Sequence, residues 1–221
     1  MPVLTVHGKQ LSYHLAGEGF PLLLVPDAGG TIQDWAAALP LLGELCRVIV
    51  YEYTQPRPVA HVPAASDDLV DDLVALLQAL HIARAYVAGY AGGGDVALRL
   101  ALRDPSRLEG LLLINPRDPA VILSQSRGTP PPTGPPEALP ALSVSSLSVP
   151  TLVIGGAGVS ERLAETTWLT AQLPHCVSTI IQEAGVAPHR EQPLLLGHAM
   201  LAFLMQCERQ RTLVRGASFL L

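Results

Sequence analysis

The sequence predicts one α/β domain, residues 1–221, with a mostly parallel central sheet and helices on both of its faces. Short apolar segments alternate with segments of helical periodicity, which is typical of strand–helix–strand units in a parallel sheet. The apolar segments are nearly continuous in hydrophobicity, as expected of strands buried on both faces. A chain of 221 residues is long enough for one such core.

Each element follows from its local pattern. Residues 4–14 alternate around a Gly8–Lys9 turn and predict an opening hairpin. Apolar residues spaced by three and four predict helices, and short apolar runs predict buried strands. The strands are expected at 21–25, 47–51, 85–88, 110–114, 151–154 and 178–181, and the helices at 31–39, 66–80, 95–102, 160–173 and 192–208.

Residues 117–149 differ in composition from the rest of the chain. They include the proline-rich run 129–136 and show little sustained periodicity. Proline disfavours helix interiors, so this segment is expected to be an extended loop and not a helical domain.

The charge pattern limits the possible partners. Charged residues make up 15% of the chain, the net charge is -5, and no basic stripe is present, which argues against nucleic acid as a partner. No apolar run reaches about 18 residues, so no membrane span is expected. The low charge favours either an apolar pocket for a small apolar molecule or an apolar surface covered in a homodimer.

The three cysteines, Cys46, Cys176 and Cys207, have neither metal-site nor redox-motif spacing. We therefore expect no metal and no cofactor. The first residues lack the charged and apolar regions of a secretion signal, which favours a cytoplasmic location.

Residues 87–94, Val-Ala-Gly-Tyr-Ala-Gly-Gly-Gly, have the frame of a nucleophile elbow, Gly-x-Ser-x-Gly, with Ala91 in place of the serine. A predicted strand precedes this segment and a predicted helix follows it, as the elbow requires. The methyl group of Ala91 cannot attack a carbonyl carbon. The segment therefore predicts the shape of a hydrolase site without its nucleophile.

Three other segments flank the elbow along the chain: residues 25–30, Val-Pro-Asp-Ala-Gly-Gly, followed by Trp35; residues 104–114; and residues 185–193. In this order and spacing, the elbow and these segments resemble the α/β-hydrolase superfamily, particularly its small bacterial esterases, lactonases and C–C hydrolases. The resemblance covers nearly the whole chain and implies the α/β-hydrolase fold. It also implies that residues 117–149 are a cap domain reduced to a short proline-rich segment.

The resemblance places the family's catalytic acid at Val159, after the strand at 151–154, and its catalytic histidine at Val186. With Ala91, all three triad positions are apolar. Triad members work through one another, so hydrolysis by a serine, histidine and acid is not expected. A serine-to-alanine change made in the laboratory to trap a substrate would leave the acid and the histidine in place. The loss of all three residues therefore points to natural divergence.

Asp27 is the first candidate for catalysis, since it replaces a glycine that the resemblance places in the oxyanion loop. Partial burial there would suit a general acid or base, whereas the alternative is a turn stabilised by its own backbone. The backbone N–H groups near Ala28 and Gly92 are candidates for an oxyanion hole. The alternative is a glycine turn that only lets the helix pack on the strand.

Further candidates follow strand ends. Asn115 and Asp118 are second-rank catalytic candidates, with capping of the next segment as the alternative. Tyr90, Glu52 and Tyr53 are candidates for contact with a ligand. The alternative is that Tyr90 is a core or wall residue and that Glu52 and Tyr53 only end a strand of the sheet. His189 is expected to be structural, and Glu183 to be a solvated loop residue.

These residues favour an enzyme of non-hydrolytic chemistry, namely a cyclase, isomerase or lyase that acts on an apolar metabolite in a biosynthetic pathway. Two alternatives stay open. One is a catalytically inactive protein that serves as a ligand sensor, carrier or regulator, and the other is a residual hydrolase that uses Asp27 and water.

Overall fold

The computed structural model describes residues 1–27, 29–54, 67–117 and 144–217. Within these ranges eight strands form one sheet, in the order β1-β2-β4-β3-β5-β6-β7-β8. Their bounds are β1 Val3–Val6, β2 Lys9–Ala16, β3 Phe20–Val25, β4 Cys46–Tyr53, β5 Ala85–Tyr90, β6 Leu108–Ile114, β7 Thr151–Gly156 and β8 Cys176–Ile181. All of these strands were predicted, and β8 begins two residues earlier than expected.

The sheet is antiparallel at one end and parallel elsewhere. β2 pairs antiparallel with both β1 and β4. From β4 through β3, β5, β6 and β7 to β8, every pairing is parallel. The carboxyl ends of these parallel strands therefore share one edge of the sheet, where ligand sites of open α/β sheets are found.

Six α-helices lie in the described ranges: α1 Leu39–Leu42, α2 Asp67–Ala79, α3 Gly92–Arg103, α4 Ser160–Gln172, α5 Pro188–Glu191 and α6 Pro193–Ala217. The expected helices at 66–80, 95–102 and 160–173 correspond to α2, α3 and α4. α6 continues nine residues beyond the expected end at 208.

The prediction of one continuous helix over residues 31–39 is wrong. The structure has a short 3₁₀ helix, Ile32–Trp35, then a turn, and then α1. Pro40 lies at the start of α1, where its missing N–H costs nothing, so it begins a helix and does not end one. The break lets Ile32 and Trp35 turn their side chains into the core.

The core has two layers, one on each face of the sheet. Along β3, Leu23 and Val25 pack with α2, α3 and α4, whereas Leu22 and Leu24 pack with Trp35, α1 and α6. This alternation follows from the two-residue period of a strand. Helices therefore cover both faces, which confirms the predicted α/β class.

The predicted proline-rich segment lies mostly at residues 118–143, outside the described residues. Among the helices that are described, none is both long enough and apolar enough to cross a bilayer.

Candidate functional site

A sharp turn joins β5 to α3 at Ala91. The backbone of Ala91 has φ 46° and ψ −114°, a region that side-chain-bearing residues rarely adopt. Close backbone packing holds the turn: a Cβ on Gly93 would lie 2.2 Å from the Val25 carbonyl oxygen, and a Cβ on Gly89 would lie 2.3 Å from the Gly93 carbonyl oxygen. The elbow geometry is thus fixed by the glycines on either side of Ala91 and needs no nucleophile.

The first N–H of α3 points at a carboxylate of the same chain. The Gly92 N–H donates to Asp27 Oδ1 at 3.0 Å. Asp27 lies two residues beyond the end of β3, and β3 neighbours β5 in the sheet. Unpaired N–H groups and the helix dipole make a helix N-terminus favourable for an anion. Here the chain itself supplies that anion.

A second carboxylate lies deeper in the same helix. Asp95 is buried, and its Oδ2 accepts a hydrogen bond from Arg117 Nη2. Burial raises the pKa of Asp95 to about 6, although the Arg117 guanidinium opposes this rise; the charge of Asp27 raises the pKa further. Arg117 comes three residues after β6. The guanidinium of Arg117 is therefore committed to Asp95 beneath the elbow.

A pocket of about 280 Å³ opens at this edge of the sheet. Its described lining residues come from the loop after β3 and the 3₁₀ helix, from the end of β5, and from α5 and the loop before it: Pro26, Asp27, Gly29, Gly30, Asp34, Trp35, Tyr90, Val186, Ala187, His189 and Arg190. The volume suits a small molecule, since it lies just below the usual range for drug-sized ligands.

Three rings form one wall of the pocket. Trp35 stacks on His189 with ring centroids 5.0 Å apart and an interplanar angle of 28°. Tyr90 also contacts His189, with ring centroids 4.2 Å apart, and its hydroxyl donates to the Val186 carbonyl oxygen at 3.0 Å. This wall joins residues from three separate parts of the chain into one apolar surface.

The topology places the three apolar positions singled out by sequence after strands β5, β7 and β8. Ala91 is the turn residue after β5, Val159 precedes the first residue of α4, and Val186 lies in the loop between β8 and α5. The side chain of Val186 is 62% exposed. None of the three carries a titratable or nucleophilic group.

Comparison with known proteins supports the same architecture, although no protein-family model matches the chain. The chain is 35% identical over 115 residues to a 2-hydroxymuconate semialdehyde hydrolase of Pseudomonas sp. CF600, a match that covers 48% of this chain and 40% of that protein. It is 34% identical over 98 residues to a Caulobacter segnis protein that carries the name carbamate hydrolase RutD. That match covers 42% of this chain and 37% of its relative. The chain thus matches less than half the length of these curated relatives.

Solved structures match over nearly the full chain. The enol-lactonase of Burkholderia xenovorans LB400 superposes with a TM-score of 0.74 at 19% identity, covering 92% of this chain and all of that one. A meta-cleavage product hydrolase from Pseudomonas fluorescens IP01 gives the same TM-score and identity over 93% of this chain. The chain has the α/β-hydrolase fold.

In α/β-hydrolase-fold enzymes, one oxyanion-hole N–H belongs to the residue after the nucleophile, which corresponds to Gly92 here. A second N–H comes from the loop after the strand that is β3 in this chain. Asp27 lies in that loop at the pocket, as the sequence predicted, and Ala28 lies outside the described residues. The carboxylate of Asp27 bonds to the Gly92 N–H of the elbow, and its backbone carbonyl oxygen accepts from the Gly30 N–H at 2.9 Å in the turn after β3.

The side chain of Asn115 links the ends of neighbouring strands through hydrogen bonds. Its Nδ2 donates to the carbonyl oxygens of Gly185 and Val186, each at 2.8 Å, and its Oδ1 accepts from the Gly156 N–H at 2.8 Å. The residue is buried with φ 43°. These bonds use both donors of the amide, and they hold the loop that carries Val186 against the ends of β6 and β7. Asp118 lies outside the described residues.

Glu52 and Tyr53 leave the end of β4 toward different partners. Glu52 Oε2 accepts from the Ile32 N–H at 2.9 Å, which supports the short 3₁₀ helix behind the pocket. The Tyr53 hydroxyl donates to the buried Asp72 carboxylate of α2 at 2.8 Å. Neither belongs to the described residues that line the pocket, so the structure gives both a framework role in place of the expected ligand contact.

His189 was expected to be structural, and it is buried against Trp35 and Tyr90. It also lines the pocket, where sequence patterns did not place it. Burial lowers its pKa from 6.5 to about 4, so the ring is uncharged at neutral pH. Among the described residues, its Nδ1 has no hydrogen-bond partner.

Two further pocket residues were missed. Arg190 Nη2 and Asp34 Oδ1 form an ion pair at 2.7 Å that links the 3₁₀ helix to α5. Because these residues are far apart in the chain and have no motif of their own, no local signal indicates their pairing. Glu183, expected in a solvated loop, is exposed at φ 58° between β8 and α5.

Ala91→Gly should stabilise the fold by about 1 kcal/mol, because glycine relieves a backbone strain of about 1 to 3 kcal/mol at a smaller entropic cost. The free energy of unfolding in urea measures this change. Ala202→Gly, at an exposed position inside α6, serves as the control and should destabilise the protein by about 1 kcal/mol. A loss of stability in Ala91→Gly similar to that of the control would contradict a strained elbow.

The buried His189 makes the stability of the fold depend on pH. The unfolded chain protonates His189 below about pH 6.5, whereas the folded chain does so only near pH 4, so stability falls as the pH drops through that window. Between about pH 7.5 and pH 5, the native protein should lose about 2 kcal/mol more than His189→Phe, which keeps the stacked ring. Denaturant titrations at both pH values test this, with the exposed His198→Phe as control. Equal losses in native protein and His189→Phe would show that His189 is not held uncharged.

Proposed function

We propose that this chain is a non-hydrolytic member of the α/β-hydrolase fold that binds a small, largely apolar molecule in the elbow pocket. One observation carries the proposal: the pocket and the elbow geometry are present, and the positions that the family resemblance gives to the triad hold Ala91, Val159 and Val186. The shape for holding a substrate is kept, and the means of attacking it is gone.

Proton transfer is the chemistry that the remaining side chains favour. Asp27 lies at the pocket as a carboxylate that can serve as general acid or base. The stacked wall of Trp35, His189 and Tyr90 shields one side of the ligand from water. Desolvation, fixed orientation and one acid or base are sufficient for an isomerisation, a cyclisation or an elimination, so these reaction classes are the proposed activity.

Hydrolysis by water activated at Asp27 is the second candidate. Two observations favour it: the matched relatives are named hydrolases, and the Asp27 carboxylate lines the pocket beside the elbow, where it can orient a water molecule. A carboxylate that orients water needs no nucleophilic side chain. A protein that binds its ligand without turnover, as a sensor or carrier, is the remaining outcome.

Turnover of para-nitrophenyl acetate tests these alternatives. The native protein should not exceed the rate of a heat-denatured sample, and Ala91→Ser alone should stay at that level. The triple variant Ala91→Ser, Val159→Asp, Val186→His should exceed both, because triad members act as a unit and single restorations are far from additive. Asp27→Asn in the native background is the control for activated water.

Two results would overturn the assignment. An esterase rate in the native protein that Asp27→Asn removes would establish the second candidate. A single Ala91→Ser variant as fast as the triple variant would mean that another residue already acts as base, and that Val186 does not occupy the place of the catalytic histidine.

A further inference from the structure

The elbow N–H is already used by an anion that belongs to the chain. Asp27 Oδ1 lies 3.0 Å from the Gly92 nitrogen. A Cβ added to Gly92 would lie 2.4 Å from that same oxygen, so the carboxylate is packed directly against the first turn of α3. A ligand carboxylate or phosphate that approached this N–H would meet the Asp27 charge at close range, which is electrostatically unfavourable.

The other ionisable residues of the pocket do not offset this charge. Asp34 and Arg190 form an ion pair at 2.7 Å and neutralise each other. His189 is uncharged at neutral pH because burial lowers its pKa to about 4. Among the described residues that line the pocket, none therefore supplies a positive charge to pair with Asp27.

Arg117 lies close to the elbow, and it bonds to another carboxylate. Its Nη2 lies 3.1 Å from the position of a Cβ on Gly92, but that same atom donates to Asp95 Oδ2. Arg117 is not among the described residues that line the pocket. Arg99 also lies close enough to lower the pKa of Asp95, so Asp95 and the two guanidiniums form a charged group outside the pocket lining, and Asp27 is the member of this cluster that lines the pocket.

The pocket wall suits a positively charged or hydrogen-bond-donating head group. Tyr90 and Trp35 present aromatic rings, which attract cations. His189, at 2% exposure, lies between them with an Nδ1 that has no partner among the described residues. A carboxylate at one end and aromatic rings along the side together give the pocket a polar site.

From this geometry we infer that the pocket selects ligands whose polar end donates hydrogen bonds to Asp27, above all a protonated primary amine on an apolar body, and excludes carboxylates and phosphates. The inference rests on the proposed function, since it names the class of molecule that the same pocket takes. A group that donates to Asp27 is also the group whose proton this carboxylate can accept, which is consistent with proton-transfer chemistry.

Three probes with the same apolar body test the inference: benzylamine, which is an ammonium ion at neutral pH, benzyl alcohol and benzoate. Affinities are measured by amide NMR titration of the pocket residues. The native protein should bind benzylammonium about tenfold or more tightly than benzoate, the scale expected for a charge-assisted hydrogen bond. Benzyl alcohol, which also donates but has no charge, should fall between the two.

Variants identify Asp27 as the cause. Asp27→Asn should abolish the preference for benzylammonium over benzoate. Asp27→Gly, which frees the Gly92 N–H, should reverse it. Glu44→Gln removes one exposed negative charge at the opposite edge of the sheet, before β4, and should keep the native preference.

The outcomes separate the inference from the proposed function. Binding of benzyl alcohol by the native protein without a preference for benzylammonium over benzoate would contradict the inference and leave the pocket intact. A preference that survives in both Asp27 variants would also contradict it. If none of the three probes binds, the proposed ligand-binding function fails, and the inference fails with it.

Discussion

The site depends on one hydrogen bond, which the Gly92 N–H donates to the Asp27 carboxylate. It links the loop after β3 to the first turn of α3, and these lie side by side because β3 and β5 are neighbouring parallel strands. The bond places a negative charge at the N-terminus of a helix, where it is stabilised. It thereby occupies a donor that a substrate oxygen would use in a hydrolase, and it places a carboxylate at that end of the pocket.

The elbow persists without a nucleophile because backbone packing, and not side-chain chemistry, determines its shape. Gly89 and Gly93 leave no room for a Cβ, and Ala91 is held at φ 46° between them. The side-chain amide of Asn115 adds hydrogen bonds to backbone atoms that hold the loop after β8 against the strand ends. The chain therefore keeps the fold of solved hydrolases, with a TM-score of 0.74, although Ala91 stands at the turn of its elbow.

Much of the fold was predictable because each buried strand is a short apolar run between turns, and the elbow was recognisable because glycine spacing encodes its backbone. The site was predictable only in part. Asp27 and Ala91 lie in local motifs, whereas the contact of His189 with Trp35 and Tyr90 joins distant segments and has no local signal. Glu52 and Tyr53 both end β4 as expected, but adjacent residues of a strand point to opposite faces, so one supports the 3₁₀ helix and the other bonds to α2.

The chemical shift of the Gly92 amide proton, followed by NMR in native protein and in Asp27→Asn, tests the central claim most directly. A hydrogen bond to a carboxylate is shorter and stronger than one to a neutral amide, so it moves the donor proton downfield. The account predicts a downfield Gly92 signal that moves upfield in Asp27→Asn, while the Gly110 amide in β6, away from the elbow, stays in place. A Gly92 signal that is the same in both proteins would show that Asp27 does not occupy the elbow N–H.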